Sequence, residues 1–128
     1  MIKGFYSEIA NAGHDSSVGI RIAPLVPGRQ LSSFGTRLEA GKRVGCHAHA
    51  HGDEWYIVLA GEGRIWLADV GPDGQLTNKR SHDLQAGDTF PIAEHTAHQL
   101  VATTQLDFIF LCPPSHLQDD RTLFADLA

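Results

Sequence analysis

The chain has 128 residues, of which 42% are apolar and 20% charged, and a net charge of −5. That size and balance describe one globular domain able to bury a core without staples. The acidic balance argues against a nucleic-acid partner, which calls for a basic patch, and no run of about 18 apolar residues is present to span a membrane.

The elements follow in chain order. Residues 1–18 read as an N-terminal strand or arm, with Gly13, His14, Asp15 and two serines as a polar break. MIKGFYSEIANAG lacks the continuous apolar core of a signal peptide, so a cytoplasmic protein is expected. Val18–Leu25 alternates as a strand, and Pro24, Pro27 and Gly28 make a loop. Leu31–Ala40 is a second strand, and Val44–Ala50 a third. Glu54–Ala60 and Arg64–Val70 read as a hairpin joined by Gly61-Glu62-Gly63. Gly71-Pro72-Asp73-Gly74 is a turn, and Gln75–Leu84 a polar strand or loop. Thr89–Ile92, Ala97–Ala102 and Leu106–Cys112 are further strands, the last ended by Pro113-Pro114. Ser115 is placed to cap a short C-terminal helix with Leu123, Phe124 and Leu127 as its apolar side. Eight or more short strands with at most one such helix indicate an all-β sandwich or barrel.

The histidines are not evenly spread. His47, His49 and His51 alternate, so on a strand their rings point to one face. Glu54 follows, and His95 and His98 form a second cluster beside another strand. A lone histidine is most often a surface or hydrogen-bonded residue. Five of the eight in two short segments point instead to a divalent metal, since imidazole and carboxylate are transition-metal ligands. The two cysteines show no zinc-finger spacing. Strand alternation turns Cys46 away from the ligand face, and Cys112 ends an apolar run as a small buried residue. If Glu54 faces inward, so do Tyr56 and Val58, which leaves Trp55, Ile57 and Leu59 on an apolar outer face. Either the same chain covers that face or it is a homodimer interface.

GKRVGCHAHAHGDEWYIVLAG resembles the first cupin motif, G-x5-H-x-H-x4-E-x6-G, at every fixed position: Gly41, His47, His49, Glu54 and Gly61. GDTFPIAEHTAHQLVA resembles the second motif, G-x5-P-x-G-x2-H-x3-N, at Gly87 and His98, with Ala93, His95 and Ala102 at the proline, glycine and asparagine positions. The resemblance covers about residues 31–112, between the N-terminal arm and a tail at 113–128. It implies a single domain folded as a double-stranded β-helix, the cupin jelly roll. It also implies one divalent transition metal (iron, zinc, nickel or manganese) held by His47, His49, Glu54 and His98.

Around that set, Tyr56 is expected to orient a substrate, and Phe90, Phe108 and Phe110 to serve as cavity wall or plain core. His51 belongs at the barrel mouth or surface. His95 is either a surface turn residue, at an unusual backbone angle that histidine tolerates better than most, or an acid–base group over the pocket. His82 and His116 are expected to have no part in holding metal. LAGEGRIWLAD and EHTAHQLVATTQLDFIFLCPP are also similar to ectoine synthases, cupins of nearly this length that close a ring by eliminating water. Phe90 stands where those enzymes have a metal-site tyrosine, and it cannot ligate.

Three function classes follow from the resemblance. The first is a metal-dependent enzyme on a small polar metabolite, with dioxygenase chemistry ahead of lyase, cyclase or isomerase chemistry. The second is a non-catalytic small-molecule-binding cupin. The third is a barrel stapled by a structural metal.

Overall fold

A computed structural model describes residues 1–128. In chain order the elements are α1 (Phe5–Ala10), β1 (His14–Asp15), β2 (Ile20–Pro24), β3 (Ser32–Leu38), β4 (His47–Ala48), β5 (Glu54–Ala60), β6 (Glu62–Val70), β7 (Leu76–Gln85), β8 (Thr89–Ile92), β9 (Thr96–Ala102), β10 (Leu106–Cys112) and β11 (Thr122–Leu123). A 3-10 turn at Pro114–Leu117 precedes β11. The strands form two antiparallel sheets, ordered β1-β2-β3-β10-β5-β8 and β11-β4-β9-β6-β7. This is the all-β jelly roll. No helix is long and apolar enough to cross a membrane.

The core lies between the sheets because the strands alternate. In β5, Glu54, Tyr56 and Val58 are buried while Trp55 is exposed. Tyr56 and Val58 join one apolar cluster with Leu38, Leu106, Phe108 and Phe110 of their own sheet and Ile65 and Leu100 of the other. At the rim of β3 and β10, in register, Arg37 makes two bonds to Asp107 at 2.8 and 3.1 Å.

Several sequence expectations change. The Glu54–Ala60/Arg64–Val70 pair is not a hairpin. β5 is already flanked by β10 and β8, so the chain crosses to the other sheet at Gly61, and β6 pairs with β9 and β7. The N-terminal arm carries a short helix, α1, ahead of the two-residue strand β1. Phe5 and Ile9, four apart, share one helical face and bury against Ala23. The absence of a side chain at Gly35 admits the Phe5 ring, because a Cβ there would meet Phe5 Cδ2 at 2.9 Å. The same cluster covers Leu59 and Ile109, so this end of the apolar outer face is closed by the chain itself, while Trp55 stays 43% exposed.

The tail forms no helix beyond the 3-10 turn, and Ser115 makes no cap. Its backbone is drawn out instead. β11 fills the edge of β4, and the buried Gln99 Oε1 accepts from the backbone of Leu127 and Ala128. The Gln99 amide donates to Val44 O and Asp126 Oδ1, so both ends of this buried side chain are satisfied. Leu127 thereby seals Cys46, Ala48, Ala68 and Ala97 on the outer face of the second sheet.

Candidate metal centre

The expected histidine strand is short. Only His47 and Ala48 pair as β4, between β9 and β11, and His47 lies in register with His98. That register joins the two motifs. Glu54 comes from the first residue of β5, in the opposite sheet. One ligand atom from each of His47, His49, Glu54 and His98 lies within 4.8 Å of the others. His49, Glu54 and His98 are buried, and His47 is half-buried on the cavity side.

Backbone carbonyls set the imidazole tautomers. A carbonyl can only accept, so the ring nitrogen facing it carries the proton. Nδ1 of His47 donates to Gly45 O at 2.9 Å, Nδ1 of His49 to Asp120 O, and Nδ1 of His98 to Thr96 O at 3.1 Å. The Nε2 lone pairs are left for the cluster centre. Glu54 Oε2 lies 3.1 Å from His49 Nε2 and 3.5 Å from His98 Nε2. Glu54 Oε2 and His98 Nε2 are buried without a hydrogen-bond partner. Lone pairs do not bond one another, and burial denies them water. A divalent cation with ligand bonds of about 2.0–2.2 Å would satisfy all four groups at once. The residues fit a metal.

The electrostatics agree. Burial, reinforced by the neighbouring His98, pulls His47 down to about 3, so it is neutral at physiological pH, as a metal ligand must be.

A cavity of about 480 Å³ opens onto His47, His49, Glu54 and Tyr56. Phe108 and Phe110 form its wall, as does Cys112, whose thiol is pushed up to about 12 by burial and the Glu54 charge and so stays protonated. Phe90 is outside this wall and packs on Tyr56 at 5.3 Å between centroids. Burial raises the Tyr56 phenol well above its usual value, so it meets a ligand as a neutral hydroxyl. His51 is exposed beside the site.

His95 is not brought to the cavity. It is exposed on a turn at φ 59°, the backbone conformation a glycine takes easily. Its N–H donates to His49 O and its carbonyl accepts from Val70, so its role here is in the backbone. We predict that His95→Gly retains metal and stays within about 1 kcal/mol of wild-type stability by thermal unfolding. Loss of metal in that variant would return the imidazole to the site.

His116 does reach the site, against expectation. Its ring stacks on His49 with centroids 3.9 Å apart and planes 3° apart. Its Nε2 donates to His51 O at 2.6 Å, and its Nδ1, without a hydrogen-bond partner, lies 3.9 Å from Glu54 Oε2. Asp120 completes this strap by accepting from the N–H groups of Ala50 and His51. His116 belongs to no motif and stands some sixty residues from Glu54 in sequence, so no spacing signals it.

The cupin-domain family model matches residues 36–113. The chain belongs to the cupin family. No curated protein sequence matches it. Among solved structures, it resembles an uncharacterised protein with a double-stranded β-helix domain from Klebsiella pneumoniae (16% identity, 98% of this chain and 97% of that one, TM-score 0.71). An RmlC-like cupin from Shewanella frigidimarina shares 23% identity, over 82% of this chain and 86% of that one, at TM-score 0.63. The oxalate decarboxylase of Bacillus subtilis, described with Mn(II) centres, shares 20% identity over 91% of this chain but 31% of its own, at TM-score 0.69.

Proposed function

We propose that this cupin is a metal-dependent enzyme acting on a small metabolite, its divalent transition metal held by His47, His49, Glu54 and His98. One observation carries the reading. Three imidazoles have their Nδ1 tied to carbonyls and their Nε2 lone pairs turned, with a buried carboxylate, onto one point at the end of a cavity. A purely structural site is closed, whereas this one faces open space. The bound metal would supply Lewis acidity or, as iron, oxygen chemistry. The chain's own residues position the ligand: Tyr56 offers a hydroxyl, and Phe108 and Phe110 exclude water. Dioxygenase-type chemistry remains the first reading. The likeness to a decarboxylase with Mn(II) centres favours, as the second, lyase chemistry on manganese.

Elemental mass spectrometry on untagged protein tests the proposal. About one divalent metal per chain is expected. Metal at a hundredfold its dissociation constant is expected to add about 2.7 kcal/mol of stability over chelator-treated protein. A chain that takes up no metal and melts identically with and without it would not be a metalloenzyme. Iron would direct the search to oxygen uptake, and zinc, nickel or manganese to lyases, cyclases and isomerases.

A further inference from the structure

The cavity wall also carries a cation. Arg121 lies there together with His47, Glu54 and Tyr56. Of the other arginines, Arg37, Arg43, Arg64 and Arg80 meet carboxylates and Arg21 donates to Ala12 O, while Arg29, exposed and outside the cavity, has no partner either. Arg121 donates to no protein acceptor. Asp120 accepts from Ala50 and His51, and Asp15, across the cavity wall, from Ser17.

The backbone at Arg121 is held on both sides. Asp120 O accepts from His49 Nδ1, and Thr122 pairs with Ala48. The wall also carries apolar side chains, Val18, Ile20, Phe108 and Phe110 among them. Arg121 is exposed, so its guanidinium is free to meet an anionic ligand entering the cavity.

We infer that the cavity takes a small organic carboxylate, whose anionic group is bound by the Arg121 guanidinium and whose apolar body lies against Ile20, Phe108 and Phe110. The planar fork of two N–H donors matches the two carboxylate oxygens. A single cation matches one negative charge, where a phosphate would carry nearly two. The inference deepens the metalloenzyme reading, because the same ligand would lie beside His47 and Glu54 in the shared cavity. The carboxylate contact itself needs only Arg121.

Isothermal titration of the full chain with phenylacetate, 3-phenylpropionate and succinate tests it, with phenylacetamide as the neutral control. Each is run with manganese-loaded and chelator-treated protein. At least one carboxylate is expected to bind the wild type about tenfold or more tighter than Arg121→Gln in both metal states. Arg121→Lys should keep part of that affinity, and phenylacetamide should not distinguish wild type from Arg121→Gln. Unchanged metal content and thermal unfolding in Arg121→Gln would show that its fold and metal centre are intact. Equal carboxylate affinity in wild type and Arg121→Gln, or no carboxylate binding to the wild type, would overturn the inference. So would tighter binding of phenyl phosphate than of every carboxylate. If no metal loads but the Arg121 dependence persists in chelator, the metal reading fails and the anion site stands.

Discussion

Glu54→Gln is expected to lose bound metal, from about one equivalent per chain to a small fraction after dialysis. The amide keeps the shape of the side chain and removes the one negative ligand among three neutral imidazoles. Even an outer-shell change at a metal site costs about 10- to 100-fold in affinity, so a directly bound carboxylate should cost at least about 100-fold. The stability arm runs the other way. In chelator, the buried Glu54 Oε2 and His98 Nε2 have no hydrogen-bond partner, and an amide N–H can donate to that nitrogen. The metal-free variant is therefore expected to unfold at or above the wild-type temperature, the signature of a group kept for binding at a cost in stability. His82→Ala, on polar strand β7, should change neither quantity. Wild-type metal content in Glu54→Gln would remove Glu54 from the ligand set. A lower melting temperature in chelator would show that the carboxylate contributes to folding without metal.

Gly61→Ala is expected to be among the most destabilising single-methyl additions in the chain. Gly61 sits at φ 90°, and a Cβ there would lie 2.0 Å from Gln105 O, a backbone atom that no rotamer change can move aside. It stands where β5 hands the chain to the other sheet, against the corner where β9 hands it back to β10. The left-handed backbone costs an L-residue about 1–2 kcal/mol, and overpacking about 1–3 kcal/mol more. A fall in melting temperature of about 10 °C or more follows for a domain of this size. Gly41→Ala separates the two causes. Gly41 has φ 77° but open space where its Cβ would go, so only the backbone strain should appear. Equal losses at both positions would mean that the Gln105 overlap relaxes at little cost.

The strands flanked by turn signals were legible because alternation and glycine–proline breaks are local. β5, β8 and β10 form over the residues expected, and the inward parity of Glu54, Tyr56 and Val58 holds. Sheet membership was not legible. Gly61-Glu62-Gly63 looks like a hairpin turn, and only the occupation of both edges of β5 makes it a crossover. The helix at Phe5–Ala10 was missed because its amphipathic signal rests on Phe5 and Ile9 alone. That pair gains meaning from the gap that Gly35 leaves in another strand.

For the site, the sequence by itself marked His47, His49, Glu54 and His98 as candidate metal ligands, because residue type and motif spacing are local features. What only the tertiary structure decided is how they are completed. The β4–β9 register sets His98 beside His47. The tail folds back to place His116 on His49 and Arg121 in the cavity wall, and the His95 turn faces solvent. The physical reason is range. Strand parity is fixed by neighbours two residues away, whereas the strap is held by hydrogen bonds from His49, Ala50 and His51 to Asp120, across about seventy residues of chain that no local pattern spans.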